Sequence, residues 1–277
     1  MNAAVVIPVY LSELSEEEKI SFNQTVKVLG RHDIILVCPC GFDHSNYDNL
    51  AAQQGVTIKK ECFEASYFNG IPGYNRLLLS RHFYERFSNY NYILICQLDV
   101  FVFRDELEYW CTRGYDFIGA PIIGKFEDTA FSNVMRVGNG GFSLRKISSY
   151  LAYFNSGKNV IPTNDIAHRI SLRKKPYTRI FVWILMSLGW RNKPVSFAAH
   201  WRYNEDDFWS GVLDKSNFAL RKPSPEEAML FSFERFPSEL FKLTGNKLPF
   251  GCHAWKKYEF NGFWRHIIPQ ADSENTI

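Results

Sequence analysis

Apolar and polar positions fall into blocks along the first 120 residues, and the blocks show two periods. Residues 3–10 (AAVVIPVY) form an apolar run with Pro8 near its end, which predicts a buried first strand. Leu14, Ile20, Phe22, Val26 and Leu29 then recur at helical spacing before Gly30, so residues 13–29 predict a helix. Residues 33–38 (DIILVC) predict a second strand, 46–54 a short helix and 56–59 a short strand. This alternation argues for a parallel α/β sheet. Residues 68–74 (FNGIPGY) read as a turn-rich loop, and 75–87 as an amphipathic helix. At the centre lies 92–103 (YILICQLDVFVF), apolar but for Asp99, which reads as one strand buried on both faces.

The second half has weaker periodicity. Residues 105–113 predict a helix, and 116–120 a short strand closed by Pro121. Residues 125–137 read as polar and irregular. The stretch 138–146 (GNGGFSLRK) places Gly140 and Gly141 after Asn139, where backbone can approach a ligand closely or turn tightly into an edge strand. Strand character returns at 142–144 and helical spacing at 147–154. Residues 165–179 carry Arg169, Arg173, Lys174, Lys175 and Arg179, and 180–190 (IFVWILMSLGW) are almost wholly apolar. That run is too short to span a bilayer. It reads either as a basic–aromatic element for a membrane surface, with peripheral contact through 165–190, or as a core helix with a solvated flank. Ser224 followed by Glu227 marks the start of a capped helix. The polar tail 270–277 is expected to be disordered.

Three places carry chemistry. Asp99 is costly to bury unless it is paired or bound to a cation. It is therefore a ligand-end residue of its strand, a core ion-pair partner, or a turn residue. Glu205, Asp206 and Asp207 are consecutive acids among aromatics (HWRYNEDDFWSG), and mutual repulsion raises at least one of their pKa values unless a cation is near. That suits a general base, and equally the acidic first turn of a helix. His253, in PFGCHAWKK, pairs with Asp99 as a divalent-metal candidate or serves structurally, with Lys256 and Lys257 suited to phosphate. Asn75 and Arg76, near the start of their predicted helix, suit a phosphate or nucleotide, and equally an ordinary capping Asn and a solvated Arg.

Composition adds limits. The 277 residues suit a single domain, and an aromatic share of 16% supports a large core and sugar-stacking surfaces. A net charge of +3 fits an anionic small ligand or an anionic membrane surface, and no nucleic-acid partner is expected. Six Cys without a C-x-x-C pair argue against zinc and for free thiols. The start, MNAAVVIPVY, lacks a basic leader region, so a cytoplasmic location is expected, either free or, if 165–190 contacts a membrane, peripheral at the inner membrane face.

Six motifs in order (VVIPVY, ILICQLDVFVF, DFIGAP, VGNGGFSLRK, NEDDFW and PFGCHAW) resemble the bacterial DUF5672-type glycosyltransferases of the GT-A fold. More distantly they are similar to the β-1,4-galactosyltransferase pattern. The resemblance covers about residues 5–257. It implies a Rossmann-like, mostly parallel central sheet flanked by helices. About 1–120 would bind the nucleotide sugar and about 121–265 would hold acceptor and catalytic groups. It implies an inverting transfer from a nucleotide sugar, UDP-linked by preference, to a saccharide or lipid-linked saccharide in surface polysaccharide or lipopolysaccharide synthesis. Asp206 would be the base, Asp207 its substitute and Glu205 its companion. Pro8, Tyr10, Asn75, Arg76, Gln97, Asn139, Gly140, Gly141 and Lys256 would contact the donor. Asp99 and His253 would hold Mn²⁺ or Mg²⁺. Trp201, Phe208, Trp209 and Trp255 would offer sugar-stacking faces. The family's D-x-D triplet appears as Gln97-Leu98-Asp99, so its first acid is absent and Gln97 can bind ribose without neutralising charge. Two other readings fit fewer features. A sugar nucleotidyltransferase would want a basic glycine loop after the first strand, where this chain is acidic. A carbohydrate-binding protein on the same fold would have little need of NEDDFW.

Overall fold

Strand β1 (Ala3–Pro8) sends successive side chains to opposite faces of its sheet, and both faces are buried. Val5 and Ile7 pack in a cluster with Phe22, Val26 and Leu29 of helix α1 (Glu16–Leu29) and Tyr47 of α2 (Ser45–Ala52). Ala4 and Val6 pack in the opposite cluster. That side includes Leu77 of α3 (Gly70–Leu78), Phe83 of α4 (Arg81–Arg86) and Tyr150 of α6 (Ile147–Asn155), with α5 (Leu107–Thr112) on the first side. This makes a three-layer α/β sandwich, and the continuous apolar runs in the sequence are its doubly covered strands. The computed structural model describes residues 2–123, 134–170 and 176–269.

The main sheet contains β1, β2 (Asp33–Pro39), β3 (Lys59–Phe63), β4 (Tyr92–Cys96), β6 (Phe117–Gly119) and β9 (Phe142–Lys146), in the order β3-β2-β1-β4-β9-β6. Strands β1 to β4 are parallel, and β9 runs antiparallel to both neighbours. The chain leaves β1 in one direction and returns on its other side at β4, so a crevice opens where these two strands end. A small sheet β10-β11-β5 sits beyond that crevice, formed by β5 (Val100–Val102), β10 (Ser232–Phe233) and β11 (Gly251–His253). A hairpin pairs β7 (Pro121–Ile123) with β8 (Val134–Val137).

Five expectations are corrected. The apolar run 92–103 is two strands in two sheets, because Gln97-Leu98-Asp99 turns the chain and the Val100 N–H closes the turn on the Gln97 carbonyl at 3.0 Å. The third strand begins at Lys59 rather than Val56. Residues 70–74 are helical, not loop, so Asn75 and Arg76 lie inside α3 instead of at its start. Leu79 and Ser80 split the expected single helix, and Ser80 caps α4 through Phe83 N. The end of the irregular stretch is strand β8. The remainder of that stretch, the basic residues 173–175 and the tail 270–277 lie outside the described residues.

The remaining helices are α7 (Thr163–Ile170), α8 (Pro176–Ser187), α9 (Pro194–Ala199), the single turn α10 (Glu205–Asp207), α11 (Pro225–Phe231), capped by Ser224 as its sequence implied, and α12 (Pro237–Leu243). Among the described residues, no helix is long and apolar enough to cross a membrane.

Candidate active site

Parallel strands β1 and β4 end side by side, and a cavity of about 410 Å³ opens at their ends. Pro8 and Tyr10 line one side, Gln97, Leu98 and Asp99 another, and Phe68, Ile71 and Tyr74 a third. Its charged lining residues are Glu18 and Asp99; among the described residues no Lys, Arg or His lines it. Glu18 also accepts the Ser15 N–H in the capping box of α1. Tyr74 Oη is buried without a well-made hydrogen bond beside Gln97, and desolvation raises its pKa. Sequence reasoning missed Glu18, Phe68, Ile71 and Tyr74. The last three sit in the segment read as a loop.

The turn that breaks 92–103 presents Asp99 at the mouth, with its side chain 50% exposed. The register of β11 against β5 sets His253 opposite Val100, so the imidazole reaches back to the turn. His253 Nε2 lies 3.3 Å from Asp99 Oδ1 and 3.3 Å from Gln97 Oε1. Its Nδ1 lies 3.3 Å from Glu234 Oε1, in ion-pair range without a well-aimed hydrogen bond. Desolvation opposes charge on His253, but the Asp99 and Glu234 carboxylates outweigh it and push the imidazole up to about 10. Burial likewise acts to raise Asp99, yet the hydrogen bond and charge of His253, with help from Lys257, hold it below the ordinary value. Glu234 was not anticipated. It follows an aromatic run (FSFERF), and the argument used for Asp99, that an acid in apolar company needs a partner, would have found it.

The glycine loop joins this cluster to the acid triplet. Gln97 N donates to the Gly141 carbonyl at 3.0 Å. Asn139 caps its own loop through Gly141 N at 2.9 Å and donates to Glu234 at 3.0 Å. A Cβ on Gly141 would run into the His253 ring, and a Cβ on Gly140 would run into Glu205 and touch Asp206. The two glycines thus admit protein side chains on either side, and they bring His253 and Asp206 to adjacent residues, whose Cα atoms are about 3.8 Å apart.

The triplet divides into three roles. Glu205 is buried and accepts two hydrogen bonds from the buried Arg145 guanidinium, at 2.7 and 3.0 Å. Arg145 is also held by Ser143 and the Tyr84 hydroxyl, both at 3.1 Å. Burial works against the charge on Arg145, and the Glu205 carboxylate overrides it, keeping the guanidinium ionised. Asp207 pairs with Arg136. Among the described residues only Asp206 of the three has no ion-pair partner. Burial first, and the Asp207 charge second, raise its pKa. Asn75 accepts the Glu205 N–H at 3.2 Å and so fixes the start of this turn from α3.

Other expected contacts lie elsewhere. Arg76 donates to the Ser66 carbonyl at 2.9 Å. Lys256 pairs with Glu17 at 3.1 Å and lies over the Phe260 ring. Trp255 and Trp209 are core residues, their indole N–H groups given to Ser21 and to the Leu78 carbonyl, and Phe208 is buried. Of the four stacking candidates only Trp201 keeps part of its surface open.

Among the described residues, no three His, Cys, Asp or Glu side chains form a ready-made metal cage. Asp99, His253 and the Gln97 amide oxygen nevertheless converge, and a carboxylate–imidazole–carbonyl set suits Mn²⁺ or Mg²⁺ when a diphosphate supplies the other oxygens.

Residues 57–253 match the family model described as "Protein of unknown function (DUF5672)". The chain belongs to this family. The DUF5672 match spans β3 to β11 and so takes in Asp99, the glycine loop, the acid triplet and His253. No curated protein matches significantly. Among solved structures, mouse xyloside xylosyltransferase 1 in its apo form overlaps at TM-score 0.49 with 7% identity, covering 91% of this chain and 97% of that one. The galactosyltransferase LgtC, in complex with donor and acceptor sugar analogs, overlaps at 0.46 with 13% identity, covering 90% and 86%. Core-mannan synthase A from Aspergillus fumigatus, in an Mn/GDP form, overlaps at 0.41 with 10% identity, covering 75% and 71%. Overlaps this weak carry no functional argument.

Proposed function

We propose that this DUF5672 protein is an inverting glycosyltransferase of the GT-A type, taking a nucleotide-sugar donor in the crevice at the ends of β1 and β4. The observation that carries this reading is the meeting of two unlike groups at Gly140 and Gly141: the His253 ring of the Asp99–His253 pair on one side, and on the other the Cβ of Asp206, whose raised carboxyl has no ion-pair partner among the described residues. A displacement at an anomeric carbon asks for this layout. The leaving diphosphate needs positive charge at one end, and the incoming hydroxyl needs a base at the other.

In this reading about 1–120 form the donor half and about 121–265 the acceptor half; the cavity lining, which runs from Pro8 to Asp99, supports the first of these. Among the described residues the cavity is lined by acids and by no lysine or arginine, so a diphosphate entering it calls for a cation. When bound, Mn²⁺ or Mg²⁺ on Asp99 and His253 would neutralise the charge of the departing nucleoside diphosphate. Glu234 orients His253 from behind, as carboxylates do behind metal-binding imidazoles. Tyr10 and Ile71, both exposed at the rim, offer surfaces for a base. Asp206 takes the proton of the acceptor hydroxyl, whose oxygen forms the new bond to the anomeric carbon as the bond to the diphosphate breaks. Arg145, through Glu205, and Asn75 hold the turn that aims Asp206. The acceptor class we infer is a saccharide or lipid-linked saccharide of a surface polysaccharide, with UDP as the donor nucleotide to try first.

Asp206→Asn tests the assignment. It lowers transfer by about 10²- to 10⁴-fold and leaves nucleoside-diphosphate binding near wild type. Residual turnover near wild type with weakened donor binding would remove Asp206 from its role.

A further inference from the structure

Helix α8 presents its apolar side outward. Tyr177, Ile180, Phe181, Ile184 and Leu188 recur at the spacing of one helix face, and the Leu188 N–H still bonds the Ile184 carbonyl at 3.0 Å, so that face continues past Ser187. Ile180, Phe181 and Leu188 are 65%, 62% and 78% exposed. Val182 faces the other way, into the core, with Met186 partly buried beside it. A globular helix normally buries its apolar stripe, so an exposed one marks a surface that something else covers. Trp183 and Trp190 extend the exposed apolar surface, and aromatic rings of this kind favour a boundary between water and hydrocarbon.

Charge identifies the occupant. Between Asp165 and Glu205 the sequence holds eight Lys and Arg and no acid, while the other 24 Lys and Arg stand against 29 Asp and Glu. The mild net charge of the whole chain therefore conceals one basic segment on an otherwise acidic protein. Arg191, Lys193 and Arg202 of this segment are exposed. Arg191 lies over the Trp190 ring at 4.7 Å, placing its cation at the edge of the apolar face. A second copy of the chain would set two such basic surfaces against each other, which like charge opposes. An anionic lipid surface offers both hydrocarbon for the rings and negative charge for the flanks.

We propose that the outer face of α8, with the turn through Trp190 and the flanking Arg191, Lys193 and Arg202, docks on an anionic lipid bilayer. The helix lies in the interface rather than crossing it. This docking is independent of the chemistry at Asp206, although the same segment runs directly into Glu205 and would hold the candidate site close to lipid-borne acceptors.

Co-sedimentation with vesicles tests it, using phosphatidylcholine alone and phosphatidylcholine mixed with phosphatidylglycerol. The 277-residue chain binds the mixed vesicles, binds phosphatidylcholine little, and releases as salt is raised. The triple variant Ile180→Ser/Phe181→Ser/Ile184→Ser loses vesicle binding with an unchanged melting temperature, since these side chains are exposed. Arg191→Glu/Arg202→Glu weakens binding to the mixed vesicles only. Equal binding by wild type and triple variant, or no binding to either vesicle, overturns the proposal. A wild-type dimer in light scattering that the triple variant abolishes, without vesicle binding, would assign the face to a second copy and also overturn it.

Discussion

Arg145 grips Glu205 through two hydrogen bonds of 2.7 and 3.0 Å, one residue before Asp206, with both partners buried. The carboxylate next to the candidate base is thereby fixed in the core, and among the described residues its neighbour Asp206 has no ion-pair partner. Breaking one side of such a pair strands a buried charge. Arg145→Met costs about 3–5 kcal/mol in urea unfolding, and Arg145→Met/Glu205→Leu recovers most of that loss. A double variant as unstable as the single one would mean that the pair is not the determinant.

Asp206 makes the opposite contribution to stability. Burial, then Asp207, raise its carboxyl in the folded state, so the fold keeps this proton to higher pH than the unfolded chain does. Stability therefore falls as pH rises through the window above the ordinary carboxylate value, and the penalty is constant beyond it. Asp206→Asn escapes that penalty. It melts higher than wild type at neutral pH, the gap closes as pH drops below about 4, and turnover falls by about 10²- to 10⁴-fold. A variant that melts lower at neutral pH contradicts this account of Asp206.

Gly141 is the narrowest point of the site. Gly141→Ala forces its methyl into the His253 ring and costs about 1–3 kcal/mol in thermal or urea unfolding, with a weakened response to Mn²⁺. Gly157→Ala, where a Cβ meets open space, is the control. Equal effects at the two positions would show that the contact with His253 is not tight.

Glu234 acts through His253. Glu234→Gln lowers Mn²⁺ affinity by about 10- to 100-fold in a metal titration followed by melting temperature, and His253→Ala lowers it further. An unchanged titration in Glu234→Gln would leave Glu234 a core residue only.

Strands β1, β2 and β4 were legible because doubly covered strands are continuously apolar, and Val5, Ile7 and Leu94 could be nothing but core, whereas the edge strand β3 (KKECF) carries no such run and was placed three residues early. The same continuity hid the break at Gln97–Asp99, since β4 and β5 are equally apolar on either side of it. Helix α3 was hidden by Gly70, Pro72 and Gly73. Pro72 sits in the first turn, where its missing N–H costs nothing, and Gly73 is there because a Cβ would stand 2.8 Å from the Tyr67 carbonyl oxygen. Asp99, His253, the glycine loop and the acid triplet stood out as charges or glycines in apolar company. Their division of labour did not, because Arg145 and Arg136, which pair with Glu205 and Asp207, and Glu234, which faces His253, come from strands and turns far away in sequence.

The most direct test is a thermal-shift panel of UDP, GDP, CMP and dTDP, each with Mn²⁺ and with EDTA, on wild type and on Asp99→Asn. A ligand of the native state raises its apparent stability by mass action. The account predicts a shift with one nucleotide that requires Mn²⁺ and disappears in Asp99→Asn. No shift with any nucleotide, or a shift indifferent to both EDTA and Asp99→Asn, would contradict it.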